Sequence, residues 1–372
     1  MAVYLYTDAD VFAGTERHIF TLATALKRLN VSSVVICPGH SPLAEECRLG
    51  GIEVVALEKR GLVDGSAIKC LRRLSVSDEL PIVHAHNGRC LLNAAIATRG
   101  RIPLVFTQHF LQPNHATQAG MKGLVYRLAH GWVNSKVNAF IAVSKAAADL
   151  MIFREKIEPN KVNIVSNGID PVSPVALTAP GLVRSQFSVV NGQPMILCLA
   201  RLEAEKQIEN LIEAAHLLKQ RGITGHFIVA GDGSLRGVLE QRIATLKLDN
   251  IKMVGFQSDA LSLVNACDIF VLPSPAEPFG LVLLEAMALS KPIIAVNAGG
   301  PAEIVVSGET GLLTQTPKPE HLAEALKKLI ADKSERKRLG EAGYQRFLQL
   351  FTADAMAAKT MEVYQSISGR VN

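Results

Sequence analysis

The feature that most constrains this chain is an alternation. Short runs of β-branched and aliphatic residues are separated by segments whose apolar residues recur every three or four positions. In the first half the strand candidates are Val3–Thr7, Ser33–Cys37, Glu53–Leu57, Ile82–Ala85, Leu104–Thr107, Ala139–Val143 and Val162–Val165. Between the first two, Ile19, Leu22, Leu26 and Leu29 fall on one face of a predicted helix over 15–29. Strand–helix alternation at this period calls for right-handed crossovers and a doubly wound parallel sheet. The pattern breaks over 171–191, where Pro171, Pro174, Pro180 and Gly181 interrupt it, and then restarts. Met195–Leu199, His226–Ala230, Ile251–Val254, Ile269–Leu272 and Ile293–Val296 are the second set of strands, and the chain is helical after Asp332. The expectation is an α/β protein of two Rossmann-like domains facing across a cleft, with ligands outside the carboxyl ends of the strands. Its predicted parts are a first domain over 1–175, a linker over 176–191, a second domain over 192–350 and a last helix over 351–372.

Length and composition agree with this. The 372 residues allow two or three domains, and 48% hydrophobic with 20% charged residues excludes a disordered or collagen-like chain. No apolar run reaches the roughly 18 residues of a membrane span, and the start lacks the basic segment of a secretory signal, so a cytoplasmic location is expected. The six cysteines show no C-x-x-C spacing and sit largely in apolar runs, as small hydrophobes do. Net charge is +5, and all of it lies in residues 1–180, with 19 Lys and Arg against 14 Asp and Glu; the remainder carries 20 of each. A basic first half suits a phosphorylated or anionic-membrane partner, whereas the absence of any Arg/Lys run with interleaved aromatics argues against nucleic acid.

The strongest site signal runs from Phe270 to Ala288: a strand, a Pro/Gly turn carrying Glu277, Pro278, Phe279 and Gly280, and a helix carrying Glu285. A helix opening at the end of a strand presents free N–H groups and a positive dipole end, which favour a phosphate. The spacing of Glu277 and Glu285 is uninformative by itself, since Glu45/Glu53 and Glu205/Glu213 share it. Four other stretches occur in fixed order around it. They are Ala13-Gly14-Thr15-Glu16-Arg17, Asn167-Gly168-Ile169-Asp170, Arg201-Leu202 followed by Lys206, and Gly299-Gly300-Pro301-Ala302-Glu303 followed by Gly308 and Gly311. Together they closely resemble the retaining glycosyltransferases of family 4, which have the GT-B fold, and the resemblance spans essentially the whole chain.

The resemblance implies a nucleotide-diphosphate-sugar donor, with UDP-sugars favoured, no metal and no cofactor. Arg201 and Lys206 would neutralise the leaving diphosphate, as a planar multi-donor group beside a compact ammonium can. Glu285 would accept hydrogen bonds from the ribose, and Glu277 from hydroxyls of the transferred sugar, with backbone N–H groups around Phe279, Gly280 and Leu281 holding sugar and phosphate. On the same grounds Gly14 lets its loop approach the diphosphate or the acceptor, although Ala13 replaces the family's preceding glycine. His109 stands near the reacting sugar, and Gly231 begins a helix beside the nucleotide. The C-terminal helix is expected to return to the first domain. The acceptor implied is a glycan, lipid-linked or other envelope precursor.

Several features read differently. Asp8-Ala9-Asp10 imitates a metal-holding Asp-x-Asp but comes before any nucleotide-binding unit. His84 and His86 stand as a His-x-His pair without a third ligand, so strand-end hydrogen bonding and a role in the cleft both stay open for them. Residues 121–133, with Trp132, suit either a core-facing helix or one lying on an anionic membrane surface. The rival readings are a nucleotide-sugar 2-epimerase on the same fold and a noncatalytic module that keeps it.

Overall fold

Every strand expected from the alternation is present, within one or two residues at its ends, and each set forms its own parallel sheet. The computed structural model describes residues 1–58, 61–74, 81–109, 129–190 and 192–368. These divide into two units, Met1–Asp170 with the residues from Ala353 on, and Pro171–Thr352.

In the first unit, β1 (Ala2–Tyr6), β2 (Ser32–Cys37), β3 (Glu53–Ala56), β4 (Pro81–Ala85), β5 (Leu104–Gln108), β6 (Ala139–Ala142) and β7 (Val162–Ile164) are ordered 3-2-1-4-5-6-7. The described helices are α1 (Gly14–Arg28), α2 (Pro42–Leu49), α3 (Gly65–Leu74), α4 (Gly88–Thr98), α5 (described over 129–135) and α6 (Lys145–Asp149). Helix α1 forms because its apolar residues share a face: Ile19, Leu22, Ala23 and Leu26 are fully buried, the larger ones contributing about 1.5–3 kcal/mol each. Its start lacks a side-chain acceptor at Ala13, and Glu16 instead reaches back, its Oε2 accepting from the Ala13 N–H at 3.1 Å. Lys27 and Arg28 occupy the last turn, where the dipole favours cations.

The C-terminal helix belongs to this unit. Its Met356, Val363, Tyr364 and Ile367 share a core with α1 and β1. The Asn167-to-Asp170 motif fastens it: the Gly168 N–H meets Met356 Sδ at 3.2 Å, Ile169 O accepts from the Ala353 N–H at 2.9 Å, and Asp170 and Asp354 both take Arg28 at 2.7 Å.

In the second unit, β8 (Met195–Leu199), β9 (His226–Ala230), β10 (Ile251–Gly255), β11 (Ile269–Leu272), β12 (Ile293–Val296) and β13 (Gly311–Thr314) are ordered 10-9-8-11-12-13. Its helices are α7 (Pro180–Gln186), α8 (Ile208–Gln220), α9 (Arg236–Thr245), α10 (Ala260–Ala266), α11 (Leu281–Ala288), α12 (Pro301–Ile304), α13 (Pro319–Ala331) and α14 (Lys333–Leu350); α15 is the C-terminal helix (Ala353–Ser368).

Two sequence expectations need correction. Edge strand β13 has only four residues and begins at a glycine, so it showed no run of its own. The stretch expected as linker holds α7, started by Pro180 and tied to the sheet by Arg184, which bonds Asp268 at 2.8 Å and Gln193 O at 2.7 Å. Prolines there start helical turns rather than mark a tether. The cysteines are free, and all but Cys70 are buried. Among the described residues, no helix is long and apolar enough to cross a membrane. Of the 121–133 stretch, residues 121–128 lie outside the described residues; Val133 is buried, and Trp132 is exposed with the Lys136 ammonium 5.9 Å from its ring centre.

Candidate active site

Each sheet reverses its strand order beside a central strand, between β1 and β4 in the first unit and between β8 and β11 in the second. Loops leaving the carboxyl ends there diverge, which is where open α/β sheets hold ligands.

In the second unit the loop after β8 carries Arg201 and Lys206, and the loop after β11 carries Glu277. The structure joins the last two: Lys206 Nζ donates to Glu277 Oε2 at 2.5 Å, with both side chains about seven-eighths buried. Gln207, with φ 50°, turns the chain from the 3₁₀ turn Ala204–Lys206 into α8, and Ser274 Oγ donates to Glu205 O at 3.1 Å, tying the two loops a second time. A buried ion pair adds little net stability, because desolvation offsets the attraction. Such a pair suits a site whose charges exchange partners when a ligand arrives.

Arg201 is not part of that pair. It is largely exposed and bonds Glu205 at 2.8 Å. Its backbone is nevertheless fixed against the loop after β9. Leu202 N–H donates to Asp232 O at 2.9 Å, and Leu235 N–H to Leu202 O at 3.0 Å. Gly231 is required for this approach, since a Cβ there would lie 1.9 Å from Ala200 O, and its φ is +136°. Gly231 N–H also donates to Gly255 O at 2.8 Å.

Gly280 stands at the N-cap of α11 with φ +103°, Leu281 is its first residue, and Glu285 is buried on its second turn. Phe279 is buried, its ring edge toward Phe351 at 6.2 Å. The turn from Glu277 to Phe279 rests on Gly299 and Gly300. Glu277 O accepts from the Gly300 N–H at 3.0 Å, and a Cβ on Gly300 would stand 2.2 Å from Phe279 Cα. The glycine pair thus sets where Glu277 lies.

In the first unit Gly14 opens α1. Asp8 takes the Arg89 guanidinium and the Asn87 amide, the latter at 2.9 Å, bridging the loops after β1 and β4. Its partners here are cationic and amide side chains. His109, just past β5, lies among other histidines. His86 Nδ1 is 3.1 Å from His109 Nε2, and His18 on α1 brings its ring to 4.7 Å from that of His109, centre to centre. His84 packs under His86 at 4.2 Å and is fixed by Tyr364 OH and Thr107 Oγ1, each at 2.7 Å. Burial, with mutual repulsion of the charged forms, holds His84, His86 and His109 well below the usual imidazole range and burial brings His18 down to about 4. Burial also raises the Glu16 carboxyl.

Sequence reasoning passed over His18 and the role of Tyr364. His18 shares the buried face of α1 with Thr15, Ile19 and Leu22, a position that alone reads as core. Tyr364 reaches His84 from 280 residues away, which no local pattern signals.

Residues 183–346 match the family model for glycosyl transferases group 1, and residues 12–172 match that for glycosyltransferase family 4. The chain is 29% identical over 385 aligned residues to alpha-maltose-1-phosphate synthase of Mycobacterium tuberculosis, covering 96% of each chain. It is also 29% identical to the glycogen synthase of that organism, over 95% of this chain and 91% of the relative. Among solved structures, Anabaena Alr3699/HepE in complex with UDP and glucose is similar at a TM-score of 0.82 and 24% identity, over 98% of this chain and 99% of that one. A glycosyltransferase from Rickettsia africae aligns at a TM-score of 0.83 and 22% identity, over 98% of each.

Proposed function

We propose, because this chain belongs to the group 1 glycosyltransferases of family 4 with the GT-B fold, that it moves a sugar from a nucleotide-diphosphate donor to a carbohydrate or lipid-linked acceptor with retention at the anomeric carbon. A UDP-sugar is the favoured donor, since the Anabaena protein of the same fold holds UDP and glucose. The observation that carries the reading is the Lys206–Glu277 pair spanning the strand-order reversal of the second unit, at the opening of α11.

In the resting chain each charge of that pair occupies the other. An entering diphosphate competes for Lys206 and draws Arg201 from its exposed partner Glu205, so that a planar fork and a compact ammonium both meet the phosphate oxygens. Glu277, released, accepts hydrogen bonds from sugar hydroxyls, while the first N–H groups of α11 face the phosphate. Glu285 takes the ribose. The bond from the anomeric carbon to the phosphate oxygen breaks, and a bond from the same carbon to the acceptor oxygen forms on the same face. The acceptor's proton passes to the departing phosphate oxygen. Glu277 positions the sugar and takes no proton. Arg201 and Lys206 supply the neutralisation that a divalent cation gives elsewhere, so transfer needs no metal. On the first unit, His109 and the opening of α1 at Gly14 serve the acceptor side.

A thermal-shift screen of nucleotide-diphosphate sugars should single out one donor that raises the melting temperature. With that donor, Glu277→Ala and Arg201→Ala should abolish transfer while leaving the fold intact. Conversion of the donor without any acceptor, or undiminished transfer in both variants, would overturn this reading.

A further inference from the structure

The sequence shows His84 and His86 as a pair without a third ligand. The fold supplies the missing partners, but to His86: α1 brings His18 and the end of β5 brings His109. One ring nitrogen from each of His18, His86 and His109 lies within 4.8 Å of one from either of the others. His86 Nδ1 and His109 Nε2, at 3.1 Å, are close to the separation of about 3.3 Å that two nitrogens take on a tetrahedral ion at zinc–nitrogen distances. The ring centres are 4.7, 5.4 and 5.5 Å apart, near the value of about 5 Å which the same geometry gives.

The second observation is unsatisfied bonding. Both nitrogens of His18, a residue only 4% exposed, are buried without a hydrogen-bond partner. Leaving buried donors and acceptors unmade is costly, so such groups ask for a partner. Asn167 Oδ1, also buried and unpartnered, is the polar group beside His18 that an outer ring N–H could meet once the inner nitrogen is engaged. The rings are held neutral by burial, the form in which imidazole ligates. His86 and His109 share one N–H between their facing nitrogens, and moving it to an outer ring nitrogen frees both lone pairs without net proton release.

We propose that His18, His86 and His109 form a capture site for a divalent transition-metal ion of the zinc type, and that its occupation halts transfer. Three imidazoles suit zinc, cobalt and nickel, and they discriminate against magnesium and calcium, which prefer oxygen ligands. Halting transfer rests on the function proposed above, since it removes His109 from the acceptor side; binding of the ion does not rest on it.

The full chain, freed of metal with a chelator, should bind one Zn²⁺ in calorimetry and no Mg²⁺, and Co²⁺ should give the intense visible absorption of a tetrahedral nitrogen site. His109→Gln, at the most accessible of the three positions, and His18→Gln should each weaken zinc binding roughly 100-fold, the upper end of what loss of a supporting residue alone costs. His321→Gln, on an exposed helix start, should leave it unchanged. Equal affinity in the His109→Gln variant and the unsubstituted chain, or no zinc binding at all, overturns the site. Zinc binding that leaves transfer intact overturns the inhibitory role, and calorimetry reads the ion even if no sugar is transferred.

Discussion

Gly300→Ala tests whether the position of the Glu277 turn sets the rate. Gly300 has an ordinary helical φ of −58°, so the substitution brings no backbone strain, only a methyl group. That methyl would stand 2.2 Å from Phe279 Cα and 2.4 Å from Phe279 O, where real Cβ contacts essentially never fall below 3.0 Å. The backbones must therefore separate by at least 0.8 Å, the difference between 3.0 and 2.2 Å. Helix α12 resists moving, because Arg346 bonds both Ile304 O and Glu303 O at 2.9 Å. The displacement passes to the turn. A misplacement of about 1 Å at a positioning group lowers a rate by about a hundredfold. Overpacking should cost about 1–3 kcal/mol, a fall of several degrees in melting temperature for a unit of this size. The assay is kcat/KM beside a melting curve, with Gly237→Ala as the matched control. Among the described residues, nothing beyond its chain neighbours and its own helix backbone lies within 4 Å of a Cβ at Gly237, and on α9 alanine should stabilise by up to about 1 kcal/mol. A folded Gly300→Ala chain whose melting temperature drops while kcat/KM stays within about threefold of the parent would refute the reasoning.

The other expectations follow from single contacts. Tyr364→Phe removes the hydroxyl that meets His84 Nδ1 at 2.7 Å, leaving a buried ring nitrogen unpaired; the melting midpoint in urea should fall by the equivalent of about 1–3 kcal/mol with an unchanged slope. Lys206→Met should abolish transfer and destabilise the second unit, while the double change with Glu277→Gln should recover part of the stability and none of the activity, as a double-mutant cycle in denaturant will read. Stability should also fall on acidification. His18 has its folded pKa lowered to about 4 from 6.5, so the unfolded chain takes a proton first; the penalty is absent above about pH 6.5 and reaches about 3 kcal/mol near pH 4. His84, His86 and His109 add in the same direction, and chelator-treated protein followed through this range should lose less stability in a His18→Gln variant.

The strands and their parallel class were legible because buried parallel strands read as aliphatic runs such as Ile269–Leu272 and Ile293–Val296, whose periodicity differs from that of the helices between them. The turn from Glu277 to Gly280 was legible for a similar reason, since proline and glycine punctuate a strand and a helix at that point. What the sequence hid is lateral. Which cation faces Glu277 depends on the reversal of strand order that sets β8 beside β11, and Arg201 and Lys206 are equally plausible partners until the loops are folded. The histidine array was hidden for the same reason. It draws on α1, β4 and the end of β5, and a histidine on the buried face of α1 looks like any other core residue.

The fastening of α15 bears on synthesis. Unit 2 is continuous in the chain, so all of its strands are available before Ala353 is made. Unit 1 begins first, yet the residues that close its core over α1, Met356, Tyr364 and Ile367, come after the other unit. The usual order in which domains mature behind the ribosome is thus inverted: the second-encoded unit can finish first, while the first waits for the helix that completes its core. The arrival of Tyr364 at His84 marks completion.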